Sequence, residues 1–222
     1  KMVSSPGRVI YPSEFIPIFE KNGKICSLDL YMFEEVCRLI DRWIKEKKAL
    51  VSISVNVSRF HLREAGSEIW KEYKRILDRY DIPEGVIEME LTETILLEEN
   101  QIPFVKAVLN GFRSCGLRVA LDDFGFAYSF PFHVKRVCSW YTKDGSQFFV
   151  NENDKSRRIV GSIIQLAHSL DMDVVAEGIE AKEQVEMLRK MGCDLIQGYV
   201  YSPPLSVEDF IKWREVHEKQ KH

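Results

Sequence analysis

Apolar residues recur along this chain with two periods, one typical of helices and one typical of strands. A spacing of three to four residues predicts amphipathic helices, because residues so spaced share one face. Ser13 is the expected N-cap of the first helix, since its hydroxyl suits that position. The helical period covers residues 12–20, 28–47, 60–80, 100–115, 155–170, 181–191 and 206–218.

Short apolar runs between these helices predict six strands. They cover residues 50–58, 86–91, 119–122, 137–143, 173–176 and 193–199. Strand and helix alternate roughly every 30–35 residues, which is the rhythm of βα units around a parallel sheet. Each run ends in a polar residue, and this favours the mouth of a barrel over a doubly wound sheet. We therefore expect an α/β fold, a TIM-like (β/α)8 barrel, in a single domain over residues 1–222.

Composition narrows the classes of function. The chain has 222 residues, 45% of them hydrophobic, and a formal net charge of -3. This charge disfavours polymeric nucleic acid as a partner, because a phosphate backbone is bound by a basic face. The five cysteines form no Cys-x-x-Cys pair, which favours reduced thiols and a cytoplasmic location over a disulfide framework or a zinc site. No apolar run is long enough for a transmembrane helix, no signal peptide is apparent, and no dinucleotide-binding glycine motif or P-loop occurs.

Carboxylates gather where the predicted strands end. One apolar run ends in Asp122 and Asp123, and an isolated Asp-Asp pair before a glycine is more often a solvated turn than a site. Two adjacent carboxylates repel each other unless one is protonated or a cation lies between them. The other predicted strand ends add Asn56, Glu90, Lys143, Glu177 and Gln197.

These residue types suit a hard divalent cation. Three or four carboxylates and an amide oxygen are ligands that Mg²⁺ or Mn²⁺ prefers. Two such cations a few ångströms apart can activate water for in-line attack on a phosphodiester. A lysine nearby can orient that water or help to deprotonate it.

Five short blocks resemble, in order and spacing, those of the EAL domain family, bacterial phosphodiesterases that open cyclic di-GMP to linear pGpG. Segment 11–17 and Pro203-Pro204-Leu205 look like the same family, so the resemblance covers essentially the whole chain. The five blocks are Val55-Asn56-Val57-Ser58, Glu90-Leu91-Thr92-Glu93, Asp122-Asp123-Phe124-Gly125, Ala176-Glu177-Gly178-Ile179-Glu180 and Gln197-Gly198-Tyr199.

The resemblance implies a role for each of these positions. Asp122 would bridge two Mg²⁺ or Mn²⁺ ions, Lys143 would contact the attacking water, and Glu177 would hold water at the metal. A capping or surface role is the alternative at every position, and it is strongest for Asn56, Glu180 and Gln197. The implied sets are the metal ligands Asn56, Glu90, Asp122 and Asp123; the catalytic residues Lys143, Glu177 and Asp122; the loop-bracing residues Glu93 and Glu180; and the substrate-side residues Gln197 and Pro204.

Three features depart from the family pattern. The Glu-Ala-Leu motif on the family's first strand and its following arginine are absent, and Lys1 falls about where that motif would just have ended. We therefore expect a barrel without its first strand and little or no turnover by residues 1–222 alone. Residues 126–130 read Phe-Ala-Tyr-Ser-Phe where the family has Thr-Gly-Tyr-Ser-Ser, and Lys143-Asp144-Gly145 stands where Lys-Ile-Asp is usual.

Three functions remain open on the sequence. The first is a metal-dependent cyclic di-GMP phosphodiesterase, which the retained acidic set favours. The second is a non-catalytic EAL-like module that binds the dinucleotide or a protein partner, which the altered loops favour. The third is a different barrel enzyme acting on another phosphorylated substrate, because barrels host many chemistries. The resemblance further implies a homodimer and upstream regulatory or GGDEF-type domains.

Overall fold

The computed structural model describes residues 2–3, 9–61, 66–92, 102–122, 136–138, 154–169 and 171–218. Its helices are α1 Pro12–Lys21, α2 Lys24–Lys45, α3 Trp70–Leu77, α4 Ile102–Ser114, α5 Asp154–Ser169, α6 Lys182–Lys190 and α7 Val207–Glu218. A 3₁₀ turn, Gly66–Glu68, precedes α3. Its strands are β1 Met2–Val3, β2 Val9–Ile10, β3 Ile53–Val57, β4 Ile87–Thr92, β5 Arg118–Asp122, β6 Arg136–Cys138, β7 Asp173–Ala176 and β8 Leu195–Ile196.

The start of α1 differs from the prediction that Ser13 caps it. The N-cap residue is Tyr11, and Pro12 occupies the first helical position. The backbone N–H of Tyr11 donates to Glu14 Oε1 at 3.1 Å, and the N–H of Glu14 donates to the Tyr11 carbonyl at 2.9 Å. Proline fits this first position because it has no N–H to leave unpaired and its φ is already helical.

Other element ends also differ from the sequence pattern. Helix α2 begins at Lys24, four residues before the predicted start, because Ile25 in its first turn is already buried. The antiparallel pair β1–β2 was not predicted, since two-residue strands carry no periodic signal. Strand β6 begins one residue earlier than predicted, and the rest of the predicted strand, residues 139–143, lies outside the described ranges.

Residues 1–136 form one compact unit, which contains the parallel strands β3, β4 and β5. Side chains alternate between the two faces of a sheet, so odd and even positions separate. The even face carries Ser54, Asn56, Glu88, Glu90 and Arg118. The odd positions Val55, Val57, Ile87, Met89, Leu91 and Val119 are buried.

Helices α2, α3 and α4 complete the core of this unit. Phe33, Tyr73 and Phe112, one from each helix, are all fully buried. The ring of Tyr73 packs edge-on against Phe33 at 4.9 Å and Phe112 at 5.4 Å between centroids, a geometry that the quadrupoles of aromatic rings favour. Helix α2 contacts β3, and α4 contacts β5. The apolar layer outside the sheet therefore holds the three strands in place.

Residues 137–222 form the second compact unit. Its strands β7 and β8 are parallel, with Val175 paired to Leu195 and Ala176 to Ile196. Helix α5 buries Ile164 and Ala167. The parallel pairing in both units confirms the predicted βα character of the chain. Among the described ranges, no helix combines the length and the hydropathy that a bilayer-spanning segment needs.

Candidate functional site

The C-terminal ends of β3 and β4 bring Asn56 and Glu90 to the same level. In the register, Asn56 is the partner of Glu90, and Glu90 is the partner of Ala120. Partner residues of neighbouring parallel strands lie on one face, with backbones about 4.8 Å apart. Asn56 is exposed and Glu90 is half-buried. An amide oxygen and a carboxylate therefore stand side by side at an accessible level of the sheet.

Asp122 is the last residue of β5, and its backbone pairs with Thr92. Its position is two residues beyond Ala120, which is about 6.6 Å further along the strand. By the period of two, position 122 has the same parity as Ala120 and Glu90. The side chain of Asp122 lies outside the described part of the structure, and so do all atoms of Glu93, Asp123 and Lys143.

Glu88 lies two residues before Glu90, on the same face of the sheet, and has a different role. Glu88 is 1% exposed, and a buried carboxylate is costly unless it is paired. It accepts a hydrogen bond from Ser54 Oγ at 3.3 Å, and Arg118 Nε lies 3.4 Å from its Oε2. Glu88 is therefore a buried, paired residue of the sheet, whereas Glu90 occupies the more open level.

In the second unit, Glu177 follows β7 and Gln197 follows β8. Main-chain hydrogen bonds join the two segments on either side of Glu177: the Gln197 N–H donates to the Ala176 carbonyl at 2.8 Å, and the Ile179 N–H donates to the Gln197 carbonyl at 3.1 Å. Glu177 is half-buried and Gln197 is exposed. These two residues therefore lie at neighbouring strand ends, as the sequence predicted.

Two glycines make this second arrangement possible. Gly178 adopts φ +68°, in the left-handed region that favours glycine. A Cβ atom on Gly198 would lie 2.0 Å from the carbonyl oxygen and 2.4 Å from the nitrogen of Ile179. Both of these are backbone atoms and cannot rotate away. The segment after β8 therefore approaches the segment after β7 more closely than any residue with a side chain allows.

Glu180 and Pro204 are exposed residues of the second unit. The backbone N–H groups of Glu180 and Ala181 both donate to Gln184 Oε1, at 3.1 and 3.0 Å. These bonds cap the N-terminus of α6, so the backbone of Glu180 has a capping role. The loop-bracing role of its side chain and the substrate role of Pro204 stay predictions.

Asn56 and Glu90, on the even face of the sheet, carry oxygen donors of the kind that Mg²⁺ or Mn²⁺ binds. Within the described ranges, no cluster of three or more histidine, cysteine, aspartate or glutamate side chains is placed to hold a metal. Asn56 and Glu90 supply hard oxygen donors, which suit these ions better than zinc. Cys26, Cys37, Cys115 and Cys193 are free thiols. Burial raises the pKa of the Cys193 thiol and raises that of Cys37 to about 12, so neither is a ready thiolate ligand.

Sequence reasoning missed a buried polar cluster directly behind β3. Asp29 of α2 accepts a hydrogen bond from the backbone N–H of Ser58 at 2.8 Å, and it lies 3.3 Å from His61 Nε2. Its signal was present in the sequence. Asp29 lies four residues after Ile25 and four before Phe33, so it falls on the apolar face of α2. A charged residue among hydrophobic ones on that face indicates a buried polar contact.

Comparison with known proteins decides the family. The family model described as the EAL domain matches residues 1–204. The chain belongs to the EAL family. Among its curated relatives, the cyclic di-GMP phosphodiesterase PdeR of Escherichia coli is 29% identical over 217 residues, covering 94% of this chain and 31% of PdeR. The bifunctional diguanylate cyclase/cyclic di-GMP phosphodiesterase MucR of Pseudomonas aeruginosa is 28% identical over 206 residues, covering 91% of this chain and 29% of MucR.

A solved EAL structure confirms the fold class. The PaMucR phosphodiesterase in complex with cyclic di-GMP superposes with a TM-score of 0.76 and 25% identity, covering 90% of this chain and 81% of that one. The α/β, TIM-like barrel expected from the strand and helix pattern is therefore the fold of this EAL domain. Membership of the EAL family excludes the third hypothesis, a barrel of another family. The chain spans roughly a quarter to a third of the length of its curated relatives.

Proposed function

We propose that this EAL domain hydrolyses cyclic di-GMP to linear pGpG with the help of Mg²⁺ or Mn²⁺. The observation that carries the proposal is the register of β3 and β4, which sets Asn56 and Glu90 on one face at one level, near the strand ends. The names of PdeR and MucR support the reaction, and the solved complex of PaMucR supports the ligand.

In this proposal Asn56, Glu90, Asp122 and Asp123 would hold the metal ions, and Asp122 would be shared between two of them. When bound, the divalent cations activate water and stabilise the charge that develops on a phosphodiester. The carboxylates by themselves would repel the phosphodiester, so the donor set is consistent with a site that cations neutralise. The mixed amide and carboxylate at one level also avoids a second adjacent negative charge.

The remaining residues act directly on water and substrate in this proposal. Glu177 accepts a hydrogen bond from the attacking water and so orients it, while Lys143 donates to the same water and favours its deprotonated form. Gln197 and Pro204 line the side on which the dinucleotide lies. The main-chain bonds of Gln197 to Ala176 and Ile179 support this assignment, since they keep Glu177 and Gln197 together.

A second candidate is a non-catalytic module that binds cyclic di-GMP or a protein partner. It is favoured by the departures at residues 126–130 and at Asp144 and Gly145, which flank proposed site residues in the sequence. Such a module would bind the dinucleotide without a requirement for metal. Calorimetry of cyclic di-GMP binding with and without Mn²⁺ therefore separates the two candidates.

The decisive experiment follows cleavage of cyclic di-GMP by the full-length protein in the presence of Mn²⁺ or Mg²⁺. We expect pGpG to accumulate, to stop when EDTA removes the metal, and to resume when Mn²⁺ is restored. Intact cyclic di-GMP with the metal-loaded full-length protein would overturn the proposal. Binding that is unaffected by EDTA and by Asp122→Asn would establish the second candidate instead.

The proposal extends to the partners and the cellular location of the protein. We expect a homodimer and an upstream regulatory or GGDEF-type domain in the full-length protein. We also expect a cytoplasmic location, either of the whole protein or of this domain within a larger, membrane-attached protein. The two activities in the name of MucR support the GGDEF-type partner. Light scattering on the purified protein tests the dimer, and the protein's fractionation in cells tests the location.

A further inference from the structure

Three hydrogen bonds converge on Ser58, two residues after Asn56. Its backbone N–H donates to Asp29 Oδ2 at 2.8 Å, its carbonyl accepts from the His61 N–H at 3.1 Å, and its Oγ accepts from the Phe60 N–H at 3.3 Å. The paired register between β3 and β4 ends at Val57. These bonds therefore hold the chain immediately beyond the last ladder pair of β3.

The hydrogen bond that the Ser58 N–H donates to Asp29 connects this turn to α2. Asp29 lies within α2, and its side chain is 11% exposed. A buried carboxylate is costly unless donors surround it. The Ser58 N–H donates to Asp29 Oδ2, and His61 Nε2 lies 3.3 Å from the same oxygen.

Two buried side chains, His61 and Tyr73, extend the cluster around Asp29. His61 is 2% exposed, and its Nε2 lies 3.3 Å from the hydroxyl of Tyr73. The Tyr73 ring is fully buried between the rings of Phe33 and Phe112. Burial first, and then the charge of Asp29, raise the pKa of Tyr73 well above its usual value. The hydroxyl thus stays protonated, and the cluster links α2, the β3 turn and α3.

We propose that Asp29 is a positioning residue that aligns Asn56 with Glu90 by anchoring the Ser58 amide. This inference rests on the proposed function, in which Asn56 and Glu90 bind the same metal ion. Asn56 is separated from the anchored amide by Val57 alone, so release of that amide frees the end of β3. Metal ligands tolerate only small displacements, and the residues that orient them matter accordingly.

The test measures Mn²⁺ affinity by calorimetry in the full-length protein without substrate, together with the melting temperature. Asp29→Leu and Asp29→Ala both remove the acceptor, and the leucine variant keeps the buried volume. We expect both to raise the Kd for Mn²⁺ by about 10–100-fold, the range for loss of an outer-shell partner. Turnover should recover in part at saturating Mn²⁺, because the ligands themselves remain.

Two further variants separate positioning from general stability. Asp29→Asn keeps an acceptor for the Ser58 N–H, so its Kd for Mn²⁺ should rise less than about tenfold, since a neutral acceptor retains about half the bond strength. Asp41→Ala removes another aspartate of α2, one that bonds to Lys45 at 2.7 Å on the solvent side. Its Mn²⁺ affinity should match that of the unsubstituted protein. Amide exchange at Ser58 should quicken in the leucine variant and not in the Asp41 variant.

Unchanged Mn²⁺ affinity in folded Asp29→Leu would overturn the inference. Equal loss in Asp29→Asn and Asp29→Leu would overturn it too, because the charge and not the acceptor would then be responsible. If the unsubstituted full-length protein binds no Mn²⁺, the proposed metal site fails, and the inference fails with it. That outcome is distinguishable, because it appears before any substitution is made.

Discussion

Candidate site residues are held in place differently at two pairs of strand ends. The first pair is β3 and β4, and the second is β7 and β8. At the first pair, side-chain contacts fix the strand ends. Asp29 accepts a hydrogen bond from the Ser58 amide, and Arg118 pairs with the buried Glu88. At the second pair, main-chain bonds hold Glu177 and Gln197 together, and Gly198 allows the close approach. Side chains can be altered one atom at a time, whereas a backbone contact has no such intermediate.

This difference has a physical consequence for substitution. Loss of one side-chain bond leaves the ladder of β3, β4 and β5 intact, so its effect should concentrate on alignment and chemistry. A methyl group forced against a backbone carbonyl cannot be accommodated by a rotamer change. Its effect should therefore appear first as lost stability of the second unit.

Glu90→Gln is the sharpest probe of the first pair. It removes the charge of a proposed metal ligand while leaving its size and its position in β4 unchanged. We expect the rate of cyclic di-GMP cleavage to fall by more than about 100-fold, which exceeds the usual cost of losing an outer-shell partner. Stopped assays with chromatography of pGpG measure this directly. The melting temperature is measured alongside, so that a fall in rate caused by unfolding is recognised.

The matched control for Glu90→Gln is Glu88→Gln, on the same strand and the same face. Glu88 is buried and lies 3.4 Å from Arg118, so losing its charge should cost about 1–3 kcal/mol of stability. Its turnover should stay close to that of the unsubstituted protein. Equal loss of activity in both variants would show that the position of the glutamate along β4 does not matter for catalysis. The expected difference between Glu88 and Glu90 would then be wrong.

Gly198→Ala tests the second pair. The added Cβ would fall 2.0 Å from the Ile179 carbonyl oxygen, so either this segment or the one after β7 must move. We expect a loss of about 1–3 kcal/mol in the free energy of unfolding, as for overpacked sites. Denaturant titration measures this loss. Cleavage should also fall, since the Glu177 segment is displaced.

Gly161→Ala is the matched control for that substitution. Gly161 lies in α5 of the same unit, and an added Cβ there meets nothing within 4 Å. Alanine should stabilise the helix by about 0.8–1 kcal/mol, because glycine is the poorer helix former. A stabilising Gly198→Ala would mean that the two segments do not approach each other this closely.

The predictable part of the candidate site follows from local periodicity. The positions of Asn56, Glu90 and Asp122 near strand ends, and of Glu177 and Gln197 just after them, could be read from apolar runs that end in polar residues. Periodicity acts over a few residues, and the family resemblance supplied their roles. The roles at Glu93, Asp123 and Lys143 lie outside the described residues and stay predictions.

The unpredicted part depends on contacts between distant residues. Asp29 and Ser58 are 29 positions apart, and no local pattern states which amide a buried aspartate will find. The same is true of Gly198 and Ile179, whose close approach follows from the pairing of β7 with β8. The N-cap of α1 was wrong for a local reason: Pro12 already supplies the first helical residue, so the cap falls on Tyr11 and not on Ser13.

The smallest expected effect belongs to a side-chain bond within the second unit. Asp194 Oδ2 accepts from the Val174 N–H at 2.8 Å and lies 2.8 Å from His168 Nε2. Partial burial raises the pKa of Asp194, but the hydrogen bonds from His168 and Val174 outweigh it and leave the pKa below its usual value of 3.8. A carboxylate with a lowered pKa stabilises the fold above its usual pKa, and that contribution is lost as the pH falls through the lower value.

Asp194→Asn keeps an acceptor for Val174 and removes the charge beside His168. Because the pair is more than a third exposed on the side of His168, we expect the variant to lose less than about 1 kcal/mol near pH 6. The gap between the two proteins should close as the pH falls below about 3.8. Urea titrations across this range measure it. A gap that persists at the acidic end would mean that the lost stability does not come from the charge of Asp194.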